Sequence, residues 1–139
     1  MTNAAKSLCY CTNLRRSANA ISAYYDQLLQ PAELTAAQYY LLVNLSRLKR
    51  ANISHWAEQV GLDRSTMVRN IQVLQARGLI EAAEGHGKVF ALSAKGASAL
   101  EAAIPLWQTA QAQMEKLLGK EDAEALLRIS GKLQEAALF

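Results

Sequence analysis

Between Ile53 and Leu92 the chain carries two short helix-length segments, each opened by a capping residue and closed by a glycine, followed directly by a hairpin signal. Ser54 stands at the start of a segment holding Trp56, Ala57 and Val60, and Gly61 closes it. Asp63 precedes Arg64 to Arg77, and Gly78 closes that segment. Short polar side chains accept the first unpaired backbone N–H groups of a helix, and glycine takes the left-handed turn that ends one. Leu79 to Ala83 and Lys88 to Leu92 read as strands, and Glu84-Gly85-His86-Gly87 between them has the residues of a tight turn. Helices this short are marginal alone. The unit therefore has to be held by its flanks.

The flanks are helical. Cys11, Leu14, Ala18, Ile21, Tyr25 and Leu28 recur at helical spacing and predict one long helix from about Ser7 to Leu29, ended by Pro31. Thr35-Ala-Ala-Gln38 is a capping-box pattern opening a second helix with Leu41, Leu42, Leu45 and Leu48. Arg47 to Asn52 reads as a basic connector. Beyond the hairpin, Ser93 predicts the cap of a long helix from Ala94 to about Leu118, with Pro105 expected to kink it. Gly119 separates a last helix bearing Leu126, Leu127, Ile129 and Leu133. The order predicts a mainly α fold with a small β-hairpin wing, a winged helix-turn-helix inside a helical dimerisation frame. The expected parts are an N-terminal dimerisation helix over 1–34, a winged lobe over 35–96 and C-terminal dimerisation helices over 97–139. The terminal helices, with Leu138 and Phe139 at the end, carry more apolar surface than 139 residues readily bury, so a two-fold homodimer is expected.

Composition narrows the function. Hydrophobic residues make up 51% of the chain and charged ones 19%, which excludes disordered and low-complexity classes. No apolar run approaches the ~18 residues of a membrane span, and Met1 to Lys6 does not open a secretory leader. Two cysteines form no disulfide framework, so a cytoplasmic setting is expected. His55 and His86 have no metal-ligand spacing to cysteine or carboxylate pairs, and there is no phosphate-cradling loop or nucleophile elbow. No catalytic residue, metal or cofactor is expected. The net charge of +3 is unevenly spread: residues 47–96 hold eight Lys and Arg against four Asp and Glu, and the two flanks together are slightly acidic. A basic middle third fits a polyanion partner.

The second short helix has the two faces a DNA reader needs. Met67, Ile71 and Leu74 fall on one side, and Ser65, Arg69 and Gln72 on the other, with Thr66 and Val73 flanking. Arginine donates two parallel hydrogen bonds to guanine, glutamine pairs with adenine, and hydroxyls in a first helical turn meet phosphates or base edges. Ser54, Arg64, His86 and Lys88 complete the expected DNA-contact set.

These residues resemble the MarR family of bacterial transcriptional regulators. The strongest block runs from Ile53-Ser-His-Trp-Ala-Glu-Gln-Val-Gly-Leu-Asp-Arg-Ser-Thr-Met through Arg77-Gly-Leu-Ile80, and Leu14-Arg-Arg-Ser-Ala and Leu92-Ser-Ala-Lys-Gly96 are similar too. The resemblance implies a dimer that binds double-stranded DNA at a palindromic operator, represses, and lets go when it binds a small molecule or is oxidised. The wing departs from the family. Where members usually carry Asp-x-Arg, this chain has Glu84, Gly85 and His86, and histidine attracts a narrow minor groove less than arginine does. Lys88 is placed to substitute in part.

Two signals are open. Relatives bind ligands between the first two helices and the long one, where Tyr24, Leu28, Tyr39, Tyr40, His55 and Trp107 would line a cleft suited to a small aromatic effector. Taken alone, each is better read as a core or interface packing residue. Alternatively, Cys9 and Cys11 resemble the layout of the family's hydroperoxide-sensing branch, with Tyr10, Tyr24, Tyr25, Tyr39 and Tyr40 as candidate partners. Side chains two apart in a helix point to opposite sides, so a bridge between these thiols requires unwinding. A third possibility is a winged helix used only for protein contact, which salt-sensitive retention on heparin would exclude.

Overall fold

Tyr10–Leu29 form helix α1, the first element of residues 8–136, which the computed structural model describes. Its N-cap is Cys9; Ser7, Leu138 and Phe139 lie outside the described residues. A single 3-10 turn, Gln30–Ala32, with Pro31 in its first positions, separates α1 from α2, Ala36–Leu48. The Thr35 capping box is complete: the hydroxyl accepts the Gln38 N–H at 3.1 Å and the Gln38 side chain accepts the Thr35 N–H at 3.1 Å. The Asp26 carboxylate takes the Ala36 N–H at 2.7 Å, tying α1 to the start of α2.

The winged lobe follows. Strand β1 is Ala51–Asn52, helix α3 Ile53–Val60, helix α4 Arg64–Ala76, strand β2 Ile80–Ala83 and strand β3 Val89–Leu92. The antiparallel sheet has the order β1-β3-β2, with Ala51 opposite Phe90 and Ile80 opposite Leu92. Two expectations are corrected here. The stretch Arg47 to Asn52 is not only a connector, because its last two residues pair with β3. The cap of α3 is Asn52 and not Ser54: Asn52, in extended backbone as β1 ends, accepts the His55 N–H at 2.8 Å, and Ser54 sits inside the first turn.

Helix α5, Ala94–Ala136, carries the frame. Its course changes at Gly119 (φ 81°, ψ 164°), a conformation essentially confined to glycine. Pro105 lies inside the helix within helical dihedrals, and the backbone leaves them at Gly119, where the sequence places the start of a last helix. A proline forfeits one N–H and can be absorbed in a helix; a φ of 81° cannot.

The core is centred on the winged lobe and the helices around it. Leu29, Leu41, Leu42, Leu45, Trp56, Met67, Leu74 and Leu79 are fully buried. Buried Asn44 is satisfied, donating to the Tyr40 carbonyl at 2.9 Å and accepting from Arg47 at 2.8 Å. Helix α5 meets the lobe at Gly96, where an added Cβ would stand 1.9 Å from the Leu79 carbonyl oxygen. Alanine is favoured over glycine inside a helix by about 1 kcal/mol. We nevertheless expect Gly96→Ala to destabilise the protein by about 1–3 kcal/mol, because the clash is with backbone and cannot be relieved by a rotamer. A urea midpoint that rises in this variant would show that α5 does not sit this close.

By contrast, the outer parts of the frame are bare. Leu14 and Ile21 on α1, and Leu117, Leu126, Leu127, Ile129 and Leu133 on α5, are all exposed. Between α1 and the two halves of α5 lies an apolar cleft of about 190 Å³ lined by Ile21, Tyr25, Met114, Leu118 and Leu126, among others. Tyr25 donates to Gln111, another lining residue, at 2.6 Å, and its burial raises the phenol pKa and keeps that proton in place.

Candidate nucleic-acid interface

Helix α4 buries one side and displays the other. Met67, Ile71 and Leu74 are at most 3% exposed, while Ser65, Arg69 and Gln72 face solvent, Val73 is exposed and Thr66 half-buried. The burial follows from spacing: positions four and three apart share a helix face, and that face is pulled into the core with Trp56 and Leu79.

The first turn of α4 is organised by Asp63. Its Oδ1 accepts the Thr66 N–H at 2.8 Å and the Ser65 hydroxyl at 2.8 Å, and its Oδ2 accepts the Thr66 hydroxyl at 3.0 Å. These hold the Asp63 carboxyl below the usual carboxylate range, the Thr66 N–H first, then the two hydroxyls, with the nearby Arg69 charge adding. Thr66 Oγ1 in turn accepts from Arg69 Nη2 at 3.3 Å.

The wing stands beside this helix. Ser54, Arg64, His86 and Lys88, four of the expected contact residues, line one groove of about 220 Å³ together with Asn52, Ile53 and Gly87. Arg64 closes the corner between the two helices by donating to Ser54 Oγ at 2.9 Å. On the wing's other side Arg50 donates to the Glu84 carbonyl at 3.1 Å and so anchors the start of the turn to the strand-leading segment. The far end of α4 is pinned as well. Arg77 donates to the Gln38 side chain at 3.1 Å, and Lys95 to the Arg77 carbonyl at 2.7 Å, so the helix is tied to both α2 and α5.

Sequence reasoning missed Arg50 and Asn52, and read Asp63 as a cap alone. Asn52 was legible as a good capping residue two positions before Ser54. Arg50 was not, because its partner lies 34 residues away.

Of the candidate effector residues the structure brings two together and leaves the others apart. Tyr39 stacks on Trp107 with centroids 6.0 Å apart and both half-buried. Tyr24 sits edge-on to Tyr25 at 6.1 Å. Tyr40 is half-exposed in a separate groove with Glu58, Gln59 and Gln134, and His55 lines the groove behind the wing with Arg50 and Glu84. The reason is helical geometry: consecutive residues such as Tyr39 and Tyr40 point about 100° apart, and the core takes the face of α3 that His55 lacks. Cys9 and Cys11 are exposed, not packed as small apolar side chains. Cys9 caps α1, its Sγ accepting the Thr12 N–H at 3.5 Å from extended backbone. Among the described residues no cluster of His, Cys, Asp and Glu could hold a metal ion, and no helix is long and apolar enough to cross a membrane.

The family model of the MarR family matches residues 32–88. The transcriptional regulator MosR of M. tuberculosis, solved in complex with DNA, is 31% identical, with 94% of this chain and 99% of that one covered and a TM-score of 0.81. The transcriptional repressor CouR, bound to p-coumaroyl-CoA, is 25% identical, with 94% of each chain covered and a TM-score of 0.84. A curated relative of another kind, the phenylalanine–tRNA ligase alpha subunit of Thermococcus kodakarensis, is 29% identical over 84 residues, 60% of this chain. The chain spans only 17% of that subunit's length.

Proposed function

Because the chain belongs to the MarR family of DNA-binding transcriptional regulators, we propose that it is a cytoplasmic homodimeric repressor that holds a palindromic operator and releases it on binding a small effector. The observation that carries this reading is the solvent-facing set Ser65, Arg69 and Gln72 on a helix whose other side is locked into the core, next to a groove lined by Ser54, Arg64, His86 and Lys88. Arg69 reads guanine, Gln72 reads adenine, and the groove residues hold the phosphate backbone. Lys88 supplies the wing's fixed positive charge. The exposed leucines of α1 and α5 supply the dimer seam, which presents two copies of α4 about one turn of DNA apart, ~34 Å. An effector acts by its differential affinity for dimers of different α4 spacing. The ties from Arg77 to α2 and from Lys95 to α4 are the links by which frame movement reaches the reader. The Tyr39–Trp107 stack offers an aromatic wall for such a ligand.

The test is a gel-shift titration on a duplex selected from a randomised library. Arg69→Ala is expected to weaken binding by about 1–3 kcal/mol, mostly through one base position, with fold and oligomeric state unchanged. Full affinity and selectivity in that variant would refute the assignment.

A second reading, control by thiol oxidation, is favoured by the Cys9 cap. Hydrogen bonds from Thr12, its side chain first and its backbone N–H second, lower the pKa of this exposed thiol, which enlarges the nucleophilic thiolate fraction. On this reading, hydroperoxide treatment lowers operator affinity in the parent protein, and Cys9→Ser abolishes the response. Equal loss in both would remove Cys9 from the mechanism.

A further inference from the structure

We propose that Asp63, beyond capping α4, sets which way the reading face donates and accepts hydrogen bonds, and that it positions Arg69 through Thr66. The inference rests on the reading of α4 as the DNA reader and assigns a specificity role to a residue that need not touch DNA.

The polarity follows from bookkeeping of protons. An ionised carboxylate is an acceptor only. The Ser65 hydroxyl, 2.8 Å from Asp63 Oδ1, and the Thr66 hydroxyl, 3.0 Å from Oδ2, must therefore both spend their single proton on Asp63. What remains on each oxygen is its lone pairs. For Thr66 one of these is used at once, since Arg69 Nη2 can only donate and lies 3.3 Å away. Asp63, Thr66 and Arg69 thus form a directed chain in which every bond has one possible sense, and the carboxylate strengthens the acceptor that steadies the guanidinium. Arginine's value in base readout is its planar fork, which discriminates only when its plane is held.

Ser65 has no second partner among the described hydrogen bonds, so its free lone pairs face solvent from the first turn. There it accepts and cannot donate. The bases that satisfy an acceptor in the major groove are those with an amino group, adenine through N6 and cytosine through N4, while guanine and thymine offer acceptors against it. Asp63 also places a negative charge beside the phosphates. It therefore lowers affinity for DNA of any sequence while raising discrimination between sequences.

That opposition makes the test sharp. Serine caps a helix about as well as aspartate, so Asp63→Ser keeps the Thr66 N–H satisfied and removes only the charged double acceptor. The full-length parent, Asp63→Ser, Thr66→Val and the double variant are each carried through selection on duplexes randomised over two half-sites, with melting temperature as the control on folding. In Asp63→Ser, affinity for random-sequence duplex should rise about threefold with the loss of one negative charge per reader. Discrimination at the position that Arg69→Ala erases should fall about tenfold, and the demand for an amino-bearing base opposite Ser65 should disappear. Thr66→Val should match the loss at the Arg69 position, and the double variant should lose no more than Asp63→Ser alone, since both break one chain. An Asp63→Ser protein that melts normally and selects the parental site with parental discrimination overturns the inference, as do losses that simply add in the double variant. A parent protein that selects no sequence at all overturns the DNA-reader reading itself, and this inference with it.

Discussion

Leu127→Glu is expected to convert the protein to a monomer and to lower affinity for the full palindrome about 10²- to 10⁴-fold. The side chain is 72% exposed in the single chain, so the change leaves that chain's core untouched and should move its intrinsic stability by no more than about 0.5 kcal/mol. Its effect comes through the seam. Leu127 borders the apolar cleft between α1 and the two halves of α5, and neighbouring Leu126, Ile129 and Leu133 are exposed with it. A second chain laid there would take a carboxylate out of water beside apolar side chains, a cost of several kcal/mol on each side of a two-fold interface. A monomer holds one half-site at a time and forfeits the gain from linked binding, which is the source of the large factor. Light scattering at micromolar concentration and a gel shift on half and full sites measure both parts. A variant that remains dimeric and binds the full site normally places the seam elsewhere.

The second large effect belongs to Trp56→Ala, which should cost about 3–5 kcal/mol of folding stability. Trp56 is the largest fully buried side chain and belongs to the core that Met67, Ile71 and Leu74 anchor α4 into. Typical domains are stable by only about 5–15 kcal/mol, so the variant should be substantially unfolded at growth temperature and lose DNA binding for that reason alone. The indole N–H offers an internal control. It is buried with no hydrogen-bond partner among the described residues, so Trp56→Phe gives up volume without stranding a polar group. We expect Trp56→Phe to lose about 1–2 kcal/mol, well short of the alanine change. Equal losses in denaturant melts would mean that the N–H is paired in solution.

The two changes act on different links. Trp56 holds α4 to its lobe, and Leu127 lies on the seam proposed for the dimer. Between them, α4 is tied to α5 through Lys95 and to α2 through Arg77.

Much of this arrangement was legible in the residues themselves. The Thr35 capping box, the Asp63 cap, the stops at Gly61 and Gly78, the Ser93 cap and the buried face of α4 are each decided within one helical turn. Backbone donors at a helix start need an acceptor within three residues, and a face of 3.6 periodicity is recorded in the spacing of its apolar positions, so order, type and inward side of the helices follow from local chemistry. Tertiary structure decided whatever depends on a partner far along the chain. Strand β1 exists because β3 lies beside it, which makes Asn52 the cap of α3 and leaves Ser54 free to meet Arg64. Arg50 became the brace of the wing through a carbonyl 34 residues away, and the rotation of their helices put Tyr40 and His55 in separate grooves, away from the stacked Tyr39 and Trp107. The packing of α1 against α5, with Tyr25 donating to Gln111 86 residues on, is likewise a long-range contact that no local pattern records.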